Sequence, residues 1–302
     1  MTTAESWTAG PWEHRFLTAN GAQFHVAHAG EHSATRPLVI LAHTYPETWW
    51  AWRHQISALA DAGFEVAAPD ARGAGGSDKT PGRIDLVTLA ADMPAVAESL
   101  GASSCVIVGA GLAGAVAWAA AGIAPHMVKG VLTFGALHPA QFFRAAQPWN
   151  PQHLVNAARG LTYPRPRSLR TPEAMHTFLT RWSAAGNMGA ANEAETYAAA
   201  LSAPEAATTL SRQQRWAERC LTRPSGAPLR AIITTPISQP VWAVRGIEDP
   251  TNPKANWRAD KRRTSSRYRT MEVSGAGHYI AEEQPDDATA IIEEFLAALA
   301  RR

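Results

Sequence analysis

The sequence predicts an α/β protein: a mostly parallel, doubly wound sheet with an inserted helical cap. Three observations predict it. Short apolar runs of strand length alternate with helical patterns in both the first and the last part of the chain, and such alternation builds a parallel sheet covered by helices on both faces. The alternation is interrupted once, from about His138 to Pro236, where strand-like runs give way to Ala-, Arg- and Gln-rich helical patterns. Between these parts, Val106-Ile107-Val108-Gly109-Ala110-Gly111-Leu112-Ala113-Gly114-Ala115-Val116 reads as a buried strand, a tight turn of small residues and an apolar helix. The expected division is a core of residues 1–137 and 237–302 and a cap of residues 138–236.

Each element follows from its residues. Arg15 to Ala29 reads as a hairpin, because Asn20-Gly21 suits the positive φ of a tight turn and separates Phe16-Leu17 from Phe24-His25-Val26-Ala27. Leu38 to Ala42 is a continuous apolar run, the signature of a strand buried on both faces. His43 to Thr48 follows as a loop, then a helix carrying Trp49, Trp50, Trp52 and Ile56. Phe64 to Pro69 is the next strand, and its loop is Asp70 to Asp78. A helix is expected over about Ile84 to Leu100, a strand over Val128 to Phe134, and cap helices such as Pro172–Trp182 and Glu193–Leu201. Pro240 to Arg245 restores the sheet, Tyr268 to Val273 completes it, and a helix from about Pro285 to Leu299 closes the domain.

Composition removes several classes of function. The chain has 302 residues, is 46% hydrophobic and 18% charged, and carries a net charge of +2, so no nucleic-acid partner is expected. The two cysteines, Cys105 and Cys220, form neither a disulfide framework nor a metal spacing, and Cys105 opens an apolar strand. No metal and no cofactor is expected. Met1 to Trp7 lacks a basic region followed by an apolar one, so no secretory signal is expected. No apolar run is long enough to span a membrane. The expected protein is cytoplasmic, a monomer or homodimer, and acts on a small molecule. Lys254 to Arg269 holds seven basic residues against Asp260 and reads as a solvated helix face. Gly109, Gly111 and Gly114 partly meet a dinucleotide-binding pattern. The turn follows an internal strand, however, and no acidic residue closes a following strand about 20 residues on.

Four segments, in order, resemble the α/β-hydrolase superfamily and in particular its epoxide hydrolase and haloalkane dehalogenase branch. His43-Thr44-Tyr45-Pro46-Glu47 is similar to an H-G-x-P-E loop, and Pro69-Asp70-Ala71-Arg72-Gly73-Ala74-Gly75-Gly76-Ser77-Asp78 to a P-D-x-R-G-x-G-x-S-D loop. Gly246-Ile247-Glu248-Asp249 looks like the acid-bearing loop, and Gly275-Ala276-Gly277-His278-Tyr279 like the histidine loop. The resemblance implies a nucleophile elbow at residues 109–113, yet its central position is Gly111, with Ala110 before it and Thr44 in place of the loop glycine. Relatives also present two cap tyrosines to an epoxide oxygen; Tyr163 and Tyr197 lie in the cap.

The resemblance implies His278 as a general base oriented by Asp249. Thr44, Tyr45 and the Leu112 amide are expected at an oxyanion site beside Gly111, with Trp49, His138 and Tyr279 on the pocket wall. The emptied turn is expected to admit a substrate group or water. Cyclisation, rearrangement, elimination or direct water attack on a reactive, largely apolar metabolite, polycyclic or epoxide-bearing, would then need no covalent intermediate. The other reading is a non-catalytic pseudoenzyme or small-molecule receptor on the same fold, with Asp249 and His278 a structural pair.

Overall fold

A computed structural model describes residues 8–81, 84–145, 151–159, 161–162, 164–217, 220, 222–251, 257 and 259–301. Eight strands form one sheet: β1 (Glu13–Ala19), β2 (Ala22–Ala29), β3 (Leu38–Ala42), β4 (Val66–Pro69), β5 (Cys105–Ala110), β6 (Val128–Phe134), β7 (Val241–Gly246) and β8 (Tyr268–Val273). Their order is β1-β2-β4-β3-β5-β6-β7-β8. The β1–β2 hairpin and the β2–β4 pair are antiparallel; every later pair is parallel. The hairpin turns at Asn20-Gly21, both with positive φ.

Alternation of side chains along the central strands fills both faces. Val39, Leu41, Val106 and Val108 face one core with Ile56, Leu59, Ile292 and Phe295. Leu38, Ile40, Cys105 and Ile107 face the other with Leu89, Val96, Val116 and Leu229. The first face is covered by α1 (Arg53–Asp61) and the C-terminal helix of Pro285–Ala300; the second by α2 (Leu86–Ser99) and α3 (Gly111–Ile123).

Between β6 and β7 the described chain is helical: α4 (Pro139–Ala145), α5 (Pro151–Ala158), α6 (Pro172–Trp182), α7 (Ala194–Ala200), α8 (Pro204–Ala217) and α9 (Ala227–Thr234). After β8 come a short helix α10 (Ile280–Glu283) and α11 (Pro285–Ala300). Because β3, β5, β7 and β8 run in one direction, the loops that follow them open at the same sheet edge, where ligands of such sheets bind.

Three local expectations need correction. Trp49–Trp52 is a 3-10 turn ahead of α1 and not its first helical turn; the hydroxyl of Thr48 accepts from Trp50 N–H there. Strand β4 starts at Val66 and not at Phe64. The basic stretch is helical only in part: Trp257 and Ala259 are helical and run into a 3-10 turn over Asp260–Arg263, but Tyr268 onward is strand β8, while Lys254 and Arg258 lie outside the described residues. Among the described residues, no helix is long and apolar enough to cross a membrane.

Candidate active site

Strand β5 ends at Ala110, and α3 begins at Gly111 with φ of +47°, a conformation that is strained for any residue with a side chain. A Cβ placed on Gly111 would stand 2.5 Å from Thr44 Oγ1, 2.9 Å from Thr44 Cβ and 3.2 Å from His278 Nε2. Three loops therefore converge on one point, from β3, β5 and β8. Leu112 N–H, one of the free amides of the first turn of α3, donates to Thr44 Oγ1 at 3.1 Å. The room beside Gly111 is thus not simply empty, as the sequence suggests: the Thr44 side chain leans into it because its hydroxyl meets that amide. For the same reason the Leu112 N–H expected at an oxyanion site already has an acceptor.

Asp249 and His278 meet across the loops of β7 and β8. His278 Nδ1 is 3.1 Å from Asp249 Oδ2, and both side chains are buried. Thr251 fixes the other carboxylate oxygen, donating from its N–H at 2.8 Å and its hydroxyl at 2.6 Å. Burial alone would raise the Asp249 pKa; the charge and hydrogen bond of His278, with the two bonds from Thr251, outweigh it and hold the carboxyl below its ordinary value. A carboxylate on Nδ1 places the ring proton there in the neutral imidazole and leaves a lone pair on Nε2. That Nε2 is buried and, among the described residues, has no hydrogen-bond partner.

The imidazole is held from outside by α6. The Trp182 ring stands edge-on to it, 5.0 Å between centroids and 87° between planes, and Trp182 O accepts from His278 N–H at 2.9 Å. Gly277 permits this approach, since a Cβ there would lie 2.5 Å from Trp182 O. Tyr279 is edge-on at 5.5 Å, and its N–H donates to Glu283 Oε1 at 2.8 Å.

A cavity opens on the other side of Thr44. Thr44, Tyr45, Glu47, Leu112 and Val116 of the core and Leu201, Leu210 and Gln213 of the helical segment line it; His278 does not. Thr44 is both on this wall and beside Gly111. Behind the loop lies a buried charged cluster. Glu47 Oε2 accepts from Thr44 N–H at 3.3 Å, and Glu282 Oε1 accepts from Arg53 at 2.8 Å and from the Tyr197 hydroxyl at 2.7 Å. Burial, together with the proximity of the two carboxyls, pushes Glu47 up; burial also raises Glu282 against the pull of Arg53.

Residues 37–285 match the family model described as the alpha/beta hydrolase fold. The chain belongs to the α/β-hydrolase family. Among its relatives, "Epoxide hydrolase A" of Mycobacterium tuberculosis is 29% identical over 95% of this chain and 98% of that protein. "Epoxide hydrolase 4" of Mus musculus is 28% identical over 94% of this chain and 79% of that one. Epoxide Hydrolase A from Mycobacterium thermoresistibile shares the fold at a TM-score of 0.70, with 23% identity and coverage of 95% and 98%. Cfl2 from Burkholderia cenocepacia does so at 0.74, with 21% identity and coverage of 95% and 96%.

In this α/β-hydrolase chain Thr44, Gly111, Leu112, Asp249 and His278 cluster as described, and Tyr45 lies on the cavity wall; Tyr279, expected on that wall, stands against the His278 ring instead and does not line the cavity. Trp49 is elsewhere. It packs edge-on against Trp12, His14 and Trp50 in the core, its N–H on Asp70, and it does not line the cavity. His138 is also off the wall. Its amide donates to Asp260, its ring caps Ala140 N–H and stands on Trp118, and burial, with Arg263 nearby, pushes the imidazole down to about 3. Tyr197 directs its hydroxyl to Glu282, and Tyr163 lies outside the described residues. Sequence reasoning missed Thr251 and Trp182. Asp-Pro-Thr after a strand is a visible cue for the first, because a carboxylate readily bonds an amide and hydroxyl two residues on. Trp182, 96 residues from His278, had no local cue.

Proposed function

We propose that this chain is an enzyme in which Asp249–His278 acts as a general base on a small, reactive, largely apolar substrate, without a covalent intermediate at Gly111. One observation carries the reading. A buried imidazole, oriented by a hydrogen-bonded carboxylate, presents an unpartnered Nε2 toward a position whose residue has no nucleophilic atom. Proton abstraction by a positioned base contributes on the order of 10²–10⁴-fold, and orientation in a closed site adds to it. Such acceleration suffices for cyclisation, rearrangement, elimination or direct attack of water on a strained ether. The names of the relatives support the last of these. In this reading residues 138–236 serve as the cap over the sheet edge, and no cofactor takes part.

The test is a panel of epoxides, β-keto acids and polycyclic aromatic metabolites, followed for product and for protein mass. Product formation with no adduct on the 105–118 peptide is expected. A stoichiometric adduct on that peptide contradicts the reading. A second reading, ligand binding without turnover, draws support from the cavity wall, which excludes His278. Tight binding of a panel member that is recovered unchanged after long incubation would establish it.

A further inference from the structure

We propose that α5 and the exposed arginines that flank it dock on an anionic lipid bilayer, lying on the membrane surface and not crossing it. Docking there is independent of the reaction that Asp249–His278 performs.

Helix α5 is built inside out. Pro151, Leu154, Val155 and Ala158 recur at i, i+3, i+4 and i+7, the spacing that gathers apolar residues into one stripe. On a helix packed into a fold such a stripe faces the core. Here all four residues are exposed, Leu154 by 58% and Val155 by 43%. Asn156 stands on the opposite side of the helix, and that polar side meets the protein: Asn156 Nδ2 donates to Thr251 O at 3.4 Å. Apolar residues exposed singly are ordinary, whereas a contiguous apolar patch marks a surface made for contact.

The chain on either side of the stripe is cationic. No Asp or Glu occurs between Glu98 and Glu173, yet Arg144, Arg159, Arg165, Arg167 and Arg170 all fall there. Each of the five is exposed. Arg170 donates to Ser202 O. Among the described residues, the side chains of the other four take part in no ion pair or hydrogen bond. Glu248, on the loop that α5 meets, is engaged by Ala185 N–H at 3.2 Å.

A short apolar stripe flanked by unpaired arginines fits a bilayer with anionic headgroups. The stripe reaches the boundary of headgroups and acyl chains, and the guanidinium groups take the phosphates. A second copy of this chain fits less well, because a two-fold contact through α5 would bring the arginines of one copy against those of the other. Nucleic acid would use the arginines but leave Leu154 and Val155 in water.

The experiment is co-sedimentation of the full chain with extruded vesicles of phosphatidylcholine alone and of equal parts phosphatidylcholine and phosphatidylglycerol. Light scattering after size exclusion and melting curves are taken on the same proteins. The parent is expected to pellet with the anionic vesicles, less so in high salt, and to stay in solution with the neutral ones. Leu154→Asp/Val155→Asp is expected to weaken binding on the order of tenfold or more. Arg159→Ser/Arg165→Ser/Arg167→Ser is expected to weaken it on the order of 10²-fold, about fivefold per charge. Lys261→Ser/Arg262→Ser/Arg267→Ser removes as much charge from exposed positions just before β8 and is expected to bind as the parent does. Because Cys105 and Cys220 are buried, a bimane label on Leu154→Cys reports on the stripe alone, and its emission is expected to shift to the blue on anionic vesicles. A parent protein that stays in solution with both vesicles overturns the proposal. So does equal binding to both, an unshifted label, or a Lys261→Ser/Arg262→Ser/Arg267→Ser variant as weak as the Arg159→Ser/Arg165→Ser/Arg167→Ser one. A parent dimer that Leu154→Asp/Val155→Asp separates into monomers assigns the stripe to a second copy and overturns it as well.

Discussion

Placing a methyl group on Gly111 tests the geometry at the centre of the site. The Cβ of Gly111→Ala would sit 2.5 Å from Thr44 Oγ1 and 2.9 Å from Thr44 Cβ, on a residue with φ of +47°. The left-handed backbone costs an alanine about 1–2 kcal/mol relative to glycine. Forcing the methyl against a fixed threonine adds about 1–3 kcal/mol. The expected loss is therefore about 2–5 kcal/mol. Only the second part depends on Thr44, so Gly111→Ala in a Thr44→Gly background should cost only the backbone part. A double-mutant cycle by urea unfolding at neutral pH measures this. The predicted coupling is about 1–3 kcal/mol in favour of the double variant. Additive single effects, or a Gly111→Ala protein as stable as the parent, would show that Thr44 does not fill this space.

Other expected outcomes follow from the same contacts. Gly277→Ala puts a Cβ 2.5 Å from Trp182 O and 2.6 Å from Ala184 N; a loss of roughly 1–3 kcal/mol and a fall in turnover are expected, and unchanged activity would show that the Trp182 contact does not hold His278. Asp249→Asn should lower turnover on the order of 10²-fold, less than His278→Ala, as read by steady-state kinetics. Burial pushes Asp260 up to about 6 against its bonds from His138 and Gln141 and the charge of Arg263. A raised carboxyl holds its proton in the folded state where the unfolded chain has lost it. Its stabilisation is therefore full below about pH 4 and is lost as pH rises through about 6. Parent stability relative to Asp260→Asn should accordingly drop by an amount of order 2 kcal/mol between pH 4 and pH 8. Parallel pH profiles of the two proteins would refute the assignment.

The sheet was legible because its central strands are buried on both faces, so Leu38–Ala42 and Cys105–Ala110 read as unbroken apolar runs. The loops around Thr44, Asp249 and His278 were legible through small motifs at strand ends, where chain direction alone brings them to one edge. What escaped was set by tertiary contact. Trp49 and Trp50 look alike in sequence, yet a hydrogen bond from the Trp49 backbone N–H to Asp70 and one from the Trp50 indole N–H to Glu193 send them to different surroundings. His138 has a residue type suited to catalysis, but burial beside Trp118 and a hydrogen bond from its backbone N–H to Asp260 use it in the helical junction. Thr44 could be seen to replace a glycine. That its hydroxyl would take the Leu112 amide depends on a distance between two loops 68 residues apart.

The central claim is that His278, oriented by Asp249, moves a proton without help from residue 111. The measurement that tests it most directly is the turnover of His278→Ala on whichever panel compound the parent converts, with ligand affinity and melting temperature taken on the same preparation. Loss of at least about 10²-fold in kcat, with affinity and melting temperature near those of the parent, is the predicted result. Turnover at the parent rate would contradict it and leave the Asp249–His278 pair a purely structural contact.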